Sequence, residues 1–324
     1  MSIGGSLVLP VSVVIPTRNR VDPLSRMLAS LKAQGPLPAE IIIMDGSQGD
    51  ATRELSAAYA GEVAPQGCQV TWKRAQALSA AVQRNQGIAL ARQPIVGFCD
   101  DDIVFETACL ERLFEALDRD EMLGGVNAMI TNQRYHPPGA TSRVIFYLMA
   151  GSNEPSYAGR VLGPAVHLLP EDRDDLPEVV QVEWLNLGCT LYRRKALPDP
   201  PFADFFTGYS IMEDVTLSVN VGRKWKLANV RSARIFHDSQ PGDYKADRVA
   251  LERMELVNRH YVMTRVLGRR RLRDYVKLLI WESFQLGICA LRTRAQREFW
   301  LAMKGKLHGL VDITARVQRR SVPG

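Results

Sequence analysis

Val96-Gly97-Phe98-Cys99-Asp100-Asp101-Asp102-Ile103-Val104-Phe105-Glu106 runs from an apolar segment straight into three aspartates. Ile95 to Cys99, led in by Pro94, reads as a short strand buried in a sheet. Adjacent carboxylates repel by on the order of 1 kcal/mol per close pair in solvent, and by more in a cleft. The carboxyl end of a strand is where open α/β sheets bind ligands, and a bound cation is a physical reason to keep the three acids together there. Alternation points Asp100 and Asp102 to one side, offering hard oxygens suited to Mg²⁺ or Mn²⁺. A solvated acidic turn is the plainer alternative.

Outward from this stretch, residues 8–131 alternate between strand and helix patterns. Val11 to Ile15 is a β-branched run ended by Pro16, and a helix follows with Asp22 as N-cap, Pro23 at N1 and Leu24, Met27, Leu28 and Leu31 on one face. Ile41 to Met44 is a second strand that runs into Asp45, and Asp50 caps the next helix. A third strand lies near Gln69 to Lys73, Ser79 to Ala91 is helical, and Thr107 caps a helix with Leu110, Leu113, Phe114 and Leu117 inward. This order predicts an α/β fold: a mostly parallel Rossmann-like sheet with helices on both faces. Asn132 to Val182, with six prolines and an acidic knot at Glu171 to Asp175, reads as irregular. Order resumes at Val182 to Tyr192, then in a helix from Glu213 to Gly222 and two short strands, Lys226 to Val230 and Arg234 to His237. Beyond Gly242 the pattern is helical. Three parts are expected: 1–131, 132–240 and a helical, basic extension at 241–324.

With 324 residues, 46% of them hydrophobic, the chain can bury a proper core and is not disordered. Its five cysteines are too widely spaced for CxxC-type zinc sites and odd in number, which suggests a reducing compartment. Met1 to Thr17 lacks the basic start of a signal peptide, and no stretch approaches the roughly 18 apolar residues of a spanning helix. A cytoplasmic protein is therefore expected. The net charge of +6 is uneven: from Arg259 onward there are 15 Lys and Arg against 4 Asp and Glu.

Two further signals are weaker alone. Glu213-Asp214 opens a helix, where the macrodipole favours acids in any case. Ala233-Arg234-Ile235-Phe236-His237 is a short strand ending in a histidine that could equally be structural. Taken in order, however, VSVVIPTRNR (11–20), EIIIMDGSQGD (40–50), QRNQGIALA (83–91), VGFCDDDIVFE (96–106), GYSIMEDVTLSV (208–219) and ARIFH (233–237) resemble the inverting family 2 glycosyltransferases of the A-type fold over residues 9–240. That resemblance implies a nucleotide-diphosphate sugar, UDP by default, lying across the first half of the sheet. Pro16, Thr17 and Arg18 would line the nucleoside pocket, Asp45 would bond the base, and Arg84 or Asn85 would support the nucleotide. Asp100 and Asp102 match the DxD motif, the first by the ribose with Asp101 beside it, the last on Mg²⁺ or Mn²⁺. His237 is expected as an additional metal or phosphate contact. Asp214 would be the general base, with Glu213 turned elsewhere. The QxxRW signature of processive members is absent, so single addition to a hydroxyl of a glycan, glycolipid or lipid-linked acceptor is expected, in polysaccharide or cell-envelope biosynthesis.

Residues 269–297 mix arginines with Tyr275, Leu279, Trp281 and Phe284. This composition fits either a peripheral helix at an anionic inner membrane face or a C-terminal helix packed on the body with its basic face in water. Two rival functions remain in view. Asp100-Asp101-Asp102-Ile103-Val104 also satisfies the DxDx[TV] loop of haloacid-dehalogenase-like phosphatases, with residues 242–247 resembling their GDxxxD. A non-enzymatic binding protein using its basic tail is the other; nucleic acid is not expected as a partner, for want of a recognition motif.

Overall fold

The computed structural model describes residues 8–240, 247–292 and 296–321. The chain divides into two compact units, the first Met1–His136, Ala158–Arg160 and Leu168–Gln240, the second Pro137–Tyr157, Val161–His167 and Pro241–Gly324.

The first unit begins with strands β1 (Val8–Thr17), β2 (Leu37–Asp45), β3 (Gln69–Arg74) and β4 (Ile95–Cys99), joined by helices α1 (Val21–Lys32), α2 (Ala51–Val63) and α3 (Ala80–Leu90). These strands are parallel, in the order β3-β2-β1-β4. All of β4 and nearly all of β1 are buried, as a parallel sheet covered by helices on both faces requires. Next come β5 (Ile103–Phe105), α4 (Cys109–Arg119) and β6 (Leu123–Ile130). Helix α5 (Ala140–Ala150) and the hairpin β7 (Val161–Leu162) and β8 (Val166–His167) belong to the second unit, after which β9 (Val179–Val182), β10 (Cys189–Arg193), α6 (Glu213–Gly222) and β11 (Lys226–His237) complete the first. β10 lies antiparallel between β4 and β6, and β11 lies parallel to β6, giving one mixed nine-stranded sheet.

Helix α3 rests directly on this sheet because Gly87 has no side chain. A Cβ there would lie 2.3 Å from Val14 Cγ1 and 3.3 Å from Met44 Cγ. Gly87→Ala is expected to cost about 1–3 kcal/mol through overpacking, read as a lower midpoint in thermal unfolding.

Several local expectations are corrected. Helix α1 starts at Val21 with Arg20 in the cap position, which puts Asp22 and Pro23 inside the first turn. At α4 the cap position falls on Ala108, in the left-handed region (φ 58°), rather than on Thr107. The cap there is tertiary, because Cys109 N donates to Gln34 Oε1 at 2.8 Å. The two short strands expected at 226–237 are one strand with an irregularity between Val230 and Arg234. The stretch expected to be irregular contains α5, a helix of only eleven residues between prolines whose apolar run is confined to residues 144–150, together with a hairpin and β9.

In the second unit, α7 (Arg248–Tyr261), α8 (Leu272–Arg292) and α9 (Gln296–Ser321) follow α5 and the hairpin. Its apolar cluster, Leu256, Met263 and Leu278, lies beside buried charge. Lys306 pairs with Glu252 and Glu282, and Arg259 with Glu255 and Glu282. Such charges are tolerated in an interior only when paired. Arg259 and Arg269 donate to the carbonyls of Ala165 and Gly163, holding the hairpin. Tyr275, one of the aromatics of the basic segment 269–297, is 42% exposed. No described helix is long and apolar enough to cross a membrane, and all five cysteines are free thiols.

Candidate active site

Asp100, Asp102 and His237 present ligand atoms that all lie within 4.8 Å of one another. The sheet assembles them. β5, which follows the aspartates, pairs antiparallel with the end of β11 so that His237 faces Ile103, and Asp238 N donates to Asp102 O at 2.8 Å. His237 Nε2 is then 3.1 Å from Asp102 Oδ1. Gln133 Nε2 is 2.8 Å from its Nδ1, and Asn132 bonds both its backbone N and its O. Asp101 turns the other way, accepting from Thr17 Oγ1 (2.7 Å) and Arg20 Nη1 (2.8 Å), while the same Arg20 nitrogen reaches Asp102 Oδ2 at 3.0 Å.

The three carboxyls are tuned apart. Burial raises Asp100, with Asp102 adding repulsion against the pull of Arg84. Burial also raises Asp101, to about 6, although Arg20 and Thr17 oppose it. For Asp102 burial pushes upward too, but the hydrogen bond and charge of His237, with Arg20 behind them, bring it below the ordinary value. Asp102 is thus the best preformed anion of the three. Two carboxylates and one imidazole fit a divalent ion, and the nitrogen donor suits Mn²⁺ better than Mg²⁺.

A second acidic pair reaches the same place through Arg84, a buried residue of α3. Its Nη2 bonds Asp100 Oδ1 at 2.9 Å and its Nη1 bonds Glu213 Oε1 at 2.8 Å. Burial works against the guanidinium charge, but Asp100, Glu213 and Asp214 hold Arg84 above its usual range. Asp214, next along the first turn of α6, is half-buried and accepts from Val215 N. The turn leading into α6 is strained: Ser210 (φ 59°) and Met212 (φ 74°) are left-handed without being glycine. Each such residue costs about 1–3 kcal/mol and persists only where the surroundings impose it. Here the buried Ser210 hydroxyl is 3.0 Å from that of Ser79, the cap of α3, and also accepts from Ala81 N. The helix carrying Arg84 and the turn before Asp214 are therefore stapled together.

Burial raises Glu213 to about 8, against the pull of Arg84 and with added repulsion from Asp214. The unfolded chain releases that proton near pH 4.3, so between these values the native state holds more protons than the unfolded one. This group therefore lowers stability as pH rises through that window and has no further effect above it. In Glu213→Gln that component of the decline should vanish, seen by comparing unfolding midpoints of the two proteins from pH 4.5 to 9.

The remaining expected residues are distributed unevenly. Asp45 is fully enclosed, accepting from Ser47 N, Trp72 Nε1 and Arg74 Nη1. Pro16 and Thr17 end β1, and Arg18 is exposed. Of the Arg84–Asn85 pair only Arg84 bonds the acids; the Asn85 amide is spent on the backbone of Phe202. Sequence reasoning missed Arg20, Asn132, Gln133 and Asn186. Asn186 is 9% exposed, and neither atom of its amide has a partner. It lies between Leu185, whose N bonds Ser218 of α6 (2.9 Å), and Gly188, whose O accepts from Asp100 N (3.1 Å). No sequence signal marks these residues, although Arg20 lies within a quoted motif. Of residues 242–247, the rival phosphatase motif, only Asp247 lies within the described residues, and it caps α7 by accepting from Ala250 N.

Residues 12–156 match the model of Glycosyl transferase family 2. No curated protein matches the chain in sequence. Among solved structures, the mannosyltransferase PcManGT from Pyrobaculum calidifontis, in complex with GDP-Man and Mn²⁺, superposes with a TM-score of 0.53 at 14% identity, covering 94% of this chain and 75% of that one. GalNAc-T7 with UDP, GalNAc and Mn²⁺ superposes with a TM-score of 0.53 at 16% identity, covering 78% of this chain and half (50%) of that one. At these identities the likeness to both structures is one of fold.

Proposed function

We propose that this chain, a glycosyltransferase carrying a family 2 domain, is a metal-dependent inverting enzyme that moves one sugar from a nucleotide-diphosphate donor to an acceptor hydroxyl. The observation that carries this reading is the Arg84 bridge, which ties the Asp100–Asp102–His237 cluster to the helix start bearing Asp214. Asp102, Asp100 and His237 would hold Mn²⁺ or Mg²⁺, which when bound supplies Lewis-acid neutralisation of the diphosphate's growing charge. Asp214 takes the proton of the acceptor hydroxyl as its oxygen attacks the anomeric carbon and the nucleoside diphosphate departs. A single displacement inverts the anomeric centre, and no carboxylate nucleophile is needed. Glu213, held by Arg84, does not compete for that proton. The unspent amide of Asn186 suits hydroxyls of the transferred sugar, since an unpaired buried amide is costly unless a ligand completes it. Pro16, Thr17 and Arg18, at the end of β1, are the proposed nucleoside side of the site, and Asp45, enclosed at the end of β2, would bond the base on releasing Trp72 or Arg74. The acceptor is a glycan, glycolipid or lipid-linked hydroxyl.

Thermal unfolding with Mn²⁺ and either UDP, GDP or dTDP tests the reading. One nucleotide should raise the midpoint in the presence of Mn²⁺ and lose that effect in EDTA, as ligand linkage requires. A flat response to all three would overturn it.

A further inference from the structure

We propose that the second unit docks on an anionic lipid surface through the outer face of α8, a contact that does not depend on the transfer reaction. Along α8, Leu272, Tyr275, Val276 and Leu279 continue into Ser283, Leu286 and Ala290 at helical spacing, so they share one stripe along the helix. That stripe carries no charged residue, and its leading members are open to solvent, with Leu272 80% and Leu279 68% exposed. Both acids of the helix, Asp274 and Glu282, are instead buried. The bases take the opposite course: Arg265, Arg270, Arg271 and Arg273 are exposed just before or within its first turn. Beside α8, helix α5 is held by the Phe146–Trp281 ring contact (6.3 Å between centroids) and by Lys277 Nζ donating to Met149 O at 2.9 Å. It too leaves Val144, Tyr147 and Leu148 in solvent.

An apolar stripe next to exposed arginines selects among partners. A second copy of the chain would bring the same arginines and no complementary acid from this helix. A nucleic acid would pair with the arginines and leave the leucines in water. An anionic bilayer meets both needs, taking the apolar stripe at the acyl boundary and the guanidiniums at the headgroup phosphates. The helix lies on such a surface and does not cross it, consistent with its modest apolar content.

Flotation of the full chain with phosphatidylcholine vesicles, with and without 25% phosphatidylglycerol, decides the matter. Partitioning should be at least tenfold stronger onto the phosphatidylglycerol vesicles. It should fall at least tenfold in Leu279→Glu and in the double variant Arg271→Glu/Arg273→Glu, while the thermal midpoints of both stay within about a degree of the parent. The double variant changes only exposed side chains, so it reads lipid binding even if Leu279→Glu unfolds. Equal partitioning onto both vesicle types, no partitioning at all, or a dimer in solution that Leu279→Glu dissociates would each overturn the proposal.

Discussion

Asp214→Asn should transfer sugar about 10² to 10⁴-fold more slowly than the parent, the usual contribution of a general base, while binding nucleotide and Mn²⁺ unchanged. The asparagine keeps the size and the hydrogen bond of the original side chain to Val215 N, so the stapled turn before α6 is not disturbed. The loss should appear in kcat with little change in the donor's KM, because proton removal belongs to the transition state and not to ground-state binding. An Asp214→Asn enzyme with near-parental kcat would dismiss Asp214 as the base.

Arg84→Met should be the most destabilising single change in the site. It strands Asp100 and Glu213, carboxyls that burial already pushes upward, without the cation that bridges them. Removing one partner of a buried ion pair costs about 3–5 kcal/mol, enough to lower the unfolding midpoint by roughly 10 °C. Protonating the two stranded acids relieves the loss, so the gap to the parent should narrow as pH falls from 8 to 5. Arg84→Lys should recover little, since a point charge on a flexible stem cannot span acids on two different elements as a planar fork does. A loss that is small, or equal at both pH values, would mean the bridge is not what holds these acids in place.

Much of the first half of the sheet was legible in one dimension. The β-branched run Val11–Ile15 and the apolar Ile95–Cys99 can satisfy themselves only inside a covered sheet, and strand alternation by itself separates Asp100 and Asp102 from Asp101. The identities of the acids beyond β4 and at the start of α6 were also visible, since an acid after a buried strand or in a first helical turn is a local feature. Helix α5 was not visible, because an eleven-residue helix among prolines, apolar only over residues 144–150, is too short to declare itself. The exposure of Tyr275 was left open because periodicity marks an apolar stripe without saying what, if anything, covers it.

What the linear order determined was therefore the kind of chemistry available: hard oxygens after one strand, an acid pair opening one helix, a histidine ending another strand. What only the tertiary structure decided was which of these meet. Arg20 finds Asp101 and Asp102, Gln133 braces His237, and Arg84 joins Asp100 to Glu213, which lies 129 positions beyond Arg84 itself. The physical reason is that charge–charge and hydrogen-bond energies depend on separation in space and on exclusion of water, and neither quantity is a function of position along the chain.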